Sequence, residues 1–209
     1  GTRKYMIKMV RNEPMLDFFD RKAVFQKASE ILMGSGYSRA GFESYSLPND
    51  PLTKSMQEKK AVYNSLGTQK GEATNFIAVG SSAHGVLNDK YYFQNFYEQD
   101  LYRKALKEGR FPIYRGLKIK PDDVIRREVI RHIRTFFNIE FDFFDKKYPH
   151  KFKDYFQKEL INLKSMENDG LLKINENNVV LTPLGEHFSP QIANVFDVYN
   201  DQEFYKRAL

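Results

Sequence analysis

In the segment FPIYRGLKIKPDDVIRREVIRHIRTFF, residues 111–137, a short run of side chains sets both the start and the buried face of a long helix. Pro121 suits the first helical position, where its missing N–H costs nothing and its φ is preset. Asp122 and Asp123 follow in the first turn, where carboxylates complement the helix dipole. Val124, Ile125, Val129, His132, Ile133, Phe136 and Phe137 then fall on one stripe at helical spacing, so the chain must supply apolar partners for that stripe further on. It does so at Phe152, Tyr155, Phe156, Leu160 and Leu163, which read as a second helix stopped by Gly170. Residues 171–174 and 179–181 read as the strands of a hairpin with a turn at 175–178, and Thr182-Pro183 starts a last helix running toward Tyr199. Helix, helix, hairpin, helix is a winged-helix-like outline.

Upstream the pattern is mixed. Residues 1–20 are polar and basic with little periodicity and read as a flexible segment. Asp20 is placed to cap a helix through Met33, with Val24, Phe25, Ala28, Ile31 and Leu32 as its apolar positions and Gly34 and Gly36 as its stop. Residues 37–45 read as a short strand broken by the prolines at 48 and 51, and residues 52–66 as a second helix ended by Gly67. The run FIAVG at 76–80 reads as a buried strand that stops in Ser81, Ser82, Ala83, His84 and Gly85. Small residues after such a run let a ligand approach the backbone, as at the carboxyl end of a parallel strand lining a crevice. A further strand is expected within 86–93 and a helix over 94–108, closed by Gly109. The change from mixed to mostly helical pattern places a domain boundary near Arg110, dividing the chain into 1–20, 21–110 and 111–209.

The chain has 209 residues, 41% of them hydrophobic, with 18 Phe, 13 Tyr and no Trp, which is enough for one large or two small aromatic-rich cores. Its net charge of +6 fits an anionic partner such as a nucleic acid or a polycarboxylate porphyrin, but the charges alternate in sign along the helices and read first as solvated faces. No apolar run reaches the ~18 residues of a membrane helix, so no membrane partner is expected. There is no cysteine, hence no disulfide and no thiol nucleophile, and cytoplasm is the default location.

The four histidines, His84, His132, His150 and His187, are too scattered for a local metal motif, and no metal site is expected. His132 sits on the apolar stripe and reads as packing. His84, at the strand end, is open to either a structural or a ligand-contacting role. The helix before the wing, where a winged-helix DNA reader would put its recognition helix, offsets Lys151, Lys153, Lys158 and Lys164 with Asp154, Glu159 and Glu167. That face lacks a basic stripe, and no nucleic-acid partner is expected.

Several segments in this order and spacing resemble the HemN-type radical-SAM enzymes, the oxygen-independent coproporphyrinogen III oxidases and their relatives: Gly36-Tyr37, the segment FESYSLP at 42–48, Gly80-Ser81-Ser82-Ala83, Tyr114-Arg115-Gly116, the Pro-Asp-Asp helix start, Arg126-Arg127, Asp154-Tyr155-Phe156, and Asp169-Gly170-Leu171 with Leu181-Thr182. The resemblance implies an α+β chain: residues 21–110 as a partial α/β barrel remnant, the last strands and helices of a radical-SAM barrel, and residues 111–209 as the helical, winged-helix-like C-terminal domain that covers the substrate cleft. It also implies a missing N-terminal radical-SAM core, an [4Fe–4S] cluster and S-adenosyl-L-methionine in the full-length enzyme, and a tetrapyrrole substrate. A cluster of that kind is held by cysteine thiolates, so none of these cofactors is expected to be retained by this chain. The implied reaction is the oxidative decarboxylation of coproporphyrinogen III to protoporphyrinogen IX.

By position, the resemblance puts a second S-adenosylmethionine against Leu66, Gly67, Ser82, Ala83 and His84, and Arg115 in the substrate cleft. Leu66 stands where the family has a glutamine and cannot supply its amide. Ala83-His84 is closer to the haem-chaperone branch of the superfamily, which keeps open a haem-binding chaperone or a haem-degrading paralogue, with His84 as an axial ligand. A winged-helix interaction module without small-molecule chemistry is the third reading.

Overall fold

The computed structural model describes residues 16–64, 67–71, 75–88 and 90–199. The first helix, α1 (Phe18–Gly34), starts earlier than the sequence suggests, because Asp17 and not Asp20 is its cap: the Asp17 carboxylate accepts from the Asp20 N–H at 2.8 Å. The expected flexible stretch through residue 20 therefore overlaps helix at its end. The single strand expected at 37–45 is instead a small hairpin, β1 (Ser38–Arg39) with β2 (Tyr45–Ser46), folded around Gly41 at φ +81°. The helix expected over 52–66 stops far sooner, as α2 (Pro51–Gln57) with Asp50 capping Leu52 N–H at 2.7 Å. Lys59 turns the chain at φ 55°, which frees buried Val62 to enter a second hairpin, β3 (Val62–Asn64) with β4 (Gly67–Gln69).

The run at 76–80 is not a buried strand. Only Phe76 bridges Val86, while Ile77 and Val79 are 74% and 85% exposed. The segment is held by side chains instead: buried Asn95 donates from Nδ2 to the carbonyls of Ala78 (3.3 Å) and Gly80 (3.0 Å), and Gly80 N–H donates to the Tyr102 hydroxyl (3.0 Å). The sheet here consists of β5 (His84–Leu87), β6 (Tyr91–Asn95) and β7 (Ile113–Lys118) in that order, with α3 (Gln99–Lys107) between the last two. Every strand pair among the described residues is antiparallel, so no parallel strand ends at the small residues 80–85 among them. Because β7 pairs with β6, hydrogen bonding crosses the expected division near Arg110.

The remaining elements are α4 (Pro121–Phe136), β8 (Asn138–Glu140), α5 (Phe141–Lys147), α6 (Phe152–Tyr155), α7 (Gln157–Asn168), β9 (Leu172–Ile174), β10 (Asn178–Leu181), α8 (Pro183–His187) and α9 (Ser189–Asn194). Their small sheet has the order β8-β10-β9. Helix, strand, three helical segments, then a two-stranded wing completes the winged-helix outline that the sequence gives only in part. Phe137 ends α4 in the left-handed conformation (φ 57°) and turns the chain into β8, whose Ile139 is fully buried opposite Val179. The main core cluster lies between Ile125 and Phe196, and Phe144, Phe152, Phe156 and Phe196 are among its fully buried rings. Fully burying a side chain of this size stabilises by about 1.5–3 kcal/mol, so this cluster is the main apolar reserve of the molecule.

Helix α4 serves two sides. Ile125, Val129 and Ile133, four residues apart, face the core, while Arg127, Arg131 and Arg134 look toward the N-terminal half. The halves meet where Arg134 lies between the rings of Phe42 (4.7 Å) and Tyr63 (4.5 Å), and where Arg39 reaches Glu186 at 2.6 Å. Gly41 comes so near α4 that an added Cβ would be 2.9 Å from the Arg134 carbonyl oxygen, and next to it Phe42 N–H donates to that same oxygen at 3.0 Å.

Candidate functional site

Between the three-stranded sheet, the β3–β4 hairpin and α4 lies a cleft of about 630 Å³, lined also by the segment Phe196 to Tyr199. Its sheet wall follows from strand alternation: side chains two apart share a face, and cross-strand partners share a row. Val86, Tyr92 and Leu117 form one such row and line the cleft. The next row on the same face is His84, Gln94 and Arg115, of which His84 reaches the cleft rim. Gly85 is required in this wall, since an added Cβ would lie 2.1 Å from the Phe93 ring and 2.6 Å from the Phe76 carbonyl oxygen.

The opposite wall is the outer stripe of α4: Asp123, Arg127, Ile130 and Arg131. Arg127 donates to the Tyr92 hydroxyl at 3.2 Å and so ties the helix to the sheet across the cleft. Arg126, which also borders the cleft, is committed to structure: it pairs with Asp122 (2.8 Å) and with buried Glu159 (2.7 Å) and donates to the Phe196 carbonyl (3.3 Å). Burial pushes the Asp122 carboxyl up, but hydrogen bonds from Tyr155 and Arg126 outweigh it and hold the group below its ordinary range. Asp123 caps α4, accepting from Lys120 N–H at 2.8 Å, and also accepts from the Tyr199 hydroxyl at 3.0 Å. The cleft is thus polarised, with carboxylates at the helix start and guanidiniums further along.

On the far side of α4, Glu128 accepts from Lys147 (2.7 Å) and from the Tyr148 hydroxyl. Burial raises the Glu128 carboxyl, yet these donors prevail and keep it below its ordinary value. His132, one turn on, packs against Phe136, Phe143 and Phe144 at 4.7–5.3 Å, and burial lowers its pKa to about 4. It is a packing residue, as the apolar stripe implies.

Of the residues singled out by resemblance, Leu66 lies outside the described residues. Gly67 opens β4 in the hairpin beside the cleft. Ser82, Ala83 and His84 lead into β5 and come together with Arg115: Arg115 Nε donates to Gln94 Oε1 (2.9 Å), and Gln94 Nε2 donates to the Ser82 carbonyl (3.2 Å). Ser82 sits at φ 60°, in the left-handed region. Arg115 is exposed on the same face as the cleft wall but one row beyond it. The residues that sequence reasoning missed are Tyr63, Tyr92, Arg127 and Arg131. The spacing of Arg127 and Arg131 opposite the apolar stripe of α4 was the available signal; nothing local marks Tyr63 or Tyr92.

Among the described residues no cluster of histidine, cysteine, aspartate or glutamate is arranged to hold a metal ion, and the cysteine-free sequence does not fit an iron–sulfur cluster. No helix among them is long and apolar enough to cross a membrane.

Comparison with known proteins agrees with this architecture. The HemN C-terminal domain family matches residues 119–186, starting directly after β7. Oxygen-independent coproporphyrinogen III oxidase from Helicobacter pylori (strain J99) is 28% identical over 180 residues, which are 86% of this chain and 39% of that protein. The oxidase of the same name from Synechocystis sp. is 29% identical over 198 residues, 91% of this chain and 42% of that protein. The solved structure of coproporphyrinogen III oxidase (HemN) from Escherichia coli, a radical SAM enzyme, superposes with a TM-score of 0.81 at 26% identity, covering 88% of this chain and 42% of that one. The chain spans about two fifths of the length of these relatives. Residues 119–186 thus match the HemN C-terminal domain family, and in sequence and fold the chain as a whole is similar to the C-terminal portion of the HemN-type oxygen-independent coproporphyrinogen III oxidases.

Proposed function

We propose that this region is the cleft wall and lid of a longer, cytoplasmic HemN-type enzyme that carries out oxidative decarboxylation of coproporphyrinogen III to protoporphyrinogen IX. The observation that carries the reading is the cleft between sheet and α4, apolar on the side of Val86 and Leu117 and cationic on the side of Arg127 and Arg131. An apolar macrocycle with carboxylates at its edge matches both walls. In this division the N-terminal core absent from the sequence supplies the cluster and S-adenosylmethionine chemistry. Ser82, Ala83 and His84, with Gly67 nearby in sequence order, are the positions of this chain that a second S-adenosylmethionine would meet. The domain division lies near Ile119, after β7, rather than at Arg110.

Titration of the chain with coproporphyrin III, followed by quenching of porphyrin fluorescence, tests the reading. Saturable one-to-one binding is expected, and Leu117→Asp, which puts a charge on the apolar wall, should weaken it at least tenfold. Absence of saturable binding, or equal binding by the Leu117 variant, overturns it. A haem-handling role is the second reading, favoured by His84 at the cleft rim. It requires a Soret shift with haem that His84→Ala removes, and an unchanged spectrum in the variant eliminates His84 as a ligand.

A further inference from the structure

The segment that follows α9 is built as a strap with one fixed end. Phe196 is fully buried and packs on Phe156 at 5.3 Å, and its carbonyl accepts from Arg126 at 3.3 Å. Asp197 N–H still donates to the Asn194 carbonyl at 3.1 Å, so the segment is anchored to the winged unit at its start. Beyond this point the character changes: Val198 and Tyr199 line the cleft, yet they are 54% and 56% exposed. The Asp197 carboxylate accepts from Tyr199 N–H at 2.9 Å and folds the strap on itself. What ties it to α4 is the Tyr199 hydroxyl, which donates to Asp123 Oδ1 at 3.0 Å beside the Lys120 side chain. Asp123 Oδ2 accepts from Lys120 N–H at 2.8 Å, so one carboxylate both starts α4 and receives the strap.

The position of the strap along α4 gives it a meaning beyond packing. The cleft follows the helix from Asp123 toward Arg131, about 12 Å of helix axis. Toward the β3–β4 hairpin it is held firmly, because Arg134 stacks on Tyr63 at 4.5 Å. At the Asp123 end it is bounded by two residues more than half exposed and by one exposed hydrogen bond. Such a bond contributes little net stability, since water replaces it when it breaks. We propose that residues 197–199 form a movable end wall of the cleft, hinged after Phe196 and latched by the Tyr199–Asp123 bond. Release of the latch lengthens the cleft along α4 and admits molecules that the latched form excludes. The device concerns access and does not depend on which ligand the cleft takes.

The chain has no cysteine, so a single one introduced on the strap or in the cleft reports alone. A nitroxide spin label on Val198→Cys reads motion of the strap, and the rate at which the aromatic disulfide reagent DTNB reacts with Val86→Cys reads entry to the cleft. Tyr199→Phe keeps the ring and removes the hydroxyl. In each background it should raise the fast-motion component of the spin-label spectrum and speed the Val86→Cys reaction about fivefold, the effect of losing one exposed charge-assisted bond. Asp123→Asn, which keeps a side-chain oxygen for the start of α4 but is a weaker acceptor, should fall between Tyr199→Phe and the parent on both readouts. Val180→Cys, on β10 and outside the cleft lining, should react at one rate with or without the Tyr199 hydroxyl. Circular dichroism of each variant verifies the fold. An unchanged spin-label spectrum in folded Tyr199→Phe shows that the bond is no latch, and a looser strap with an unchanged Val86→Cys rate shows that the strap is no wall. Either result overturns the proposal.

Discussion

His132 is a histidine kept neutral by its surroundings, with its Nδ1 buried and without a hydrogen-bond partner and three phenylalanine rings against it. Its pKa is lowered from 6.5 to about 4, first by burial and then by the charges of Arg131, Lys147 and Lys59, against which Glu128 acts in the opposite sense. In this pH range the unfolded chain binds the proton more readily than the folded one. Stability contributed by the neutral ring is therefore complete above pH 6.5 and is lost as pH falls toward 4. At ~1.4 kcal/mol per pKa unit the loss is at most about 3.5 kcal/mol. His132→Leu should flatten this part of the profile, with the urea midpoint of the variant rising relative to the parent's as pH falls from 6.5 to 4 and the difference near neutrality set by packing alone. An unchanged slope between pH 4 and 6.5 in the variant would show that the histidine does not titrate there. The lowered carboxyl of Glu128 loses its contribution below this window, so the two effects separate on the pH axis.

At the scale of elements, the junction of wing and α8 shows how little freedom the winged unit has. Gly185 is buried, and a Cβ added there would lie 1.6 Å from the Leu171 carbonyl oxygen, a backbone atom that cannot step aside. The same corner carries Thr182, whose hydroxyl donates to the Gly170 carbonyl at 2.8 Å and accepts from Gly185 N–H at 3.0 Å. Gly185→Ala should therefore separate α8 from β9 and cost upward of about 3 kcal/mol, in the range of severe overpacking. Thr182→Ala, which removes a cap without adding bulk, should cost about 1 kcal/mol. Thermal denaturation of the two variants orders these effects, and a mild Gly185→Ala phenotype would mean that the wing can shift against α8. The sequence marks Thr182-Pro183 as a helix start, but it gives no sign that Gly185 is needed. That requirement comes from the carbonyl of Leu171, which the β9–β10 hairpin brings against it.

For the whole molecule, the apolar reserve is unevenly placed. The core cluster lies entirely between Ile125 and Phe196, whereas the N-terminal half exposes Phe19, Ile77, Val79 and Phe111 at 74–85%. A fragment covering residues 119–199 should accordingly fold alone, with a cooperative thermal transition close to that of the C-terminal part in the intact chain. Losing the contacts of Arg134 with Phe42 and Tyr63 and of Arg39 with Glu186 should lower its midpoint by a few degrees only, since such partly exposed pairs contribute little. A fragment without near-native circular dichroism would overturn the division at Ile119. The complementary fragment ending before residue 119 should aggregate, because its antiparallel sheet then lacks the cover of α4.

What the sequence determined by itself is local and periodic. The start of α4 at Pro121, its apolar stripe, the wing at 171–181 and the Thr182 cap are all written in neighbouring residues, because helix capping and amphipathic spacing act within a turn or two. The tertiary structure decided what lies far apart in the chain. The run at 76–80 reads as a strand until Asn95 and Tyr102 claim its backbone, and the helix expected through residue 66 yields at Gln57 to a hairpin that packs beside α4. The cleft is of the same kind: Tyr92 and Arg127 are 35 residues apart and become a site only when the sheet face and the outer stripe of α4 meet. A side chain's partner across that distance depends on how whole elements pack, and no local propensity encodes it.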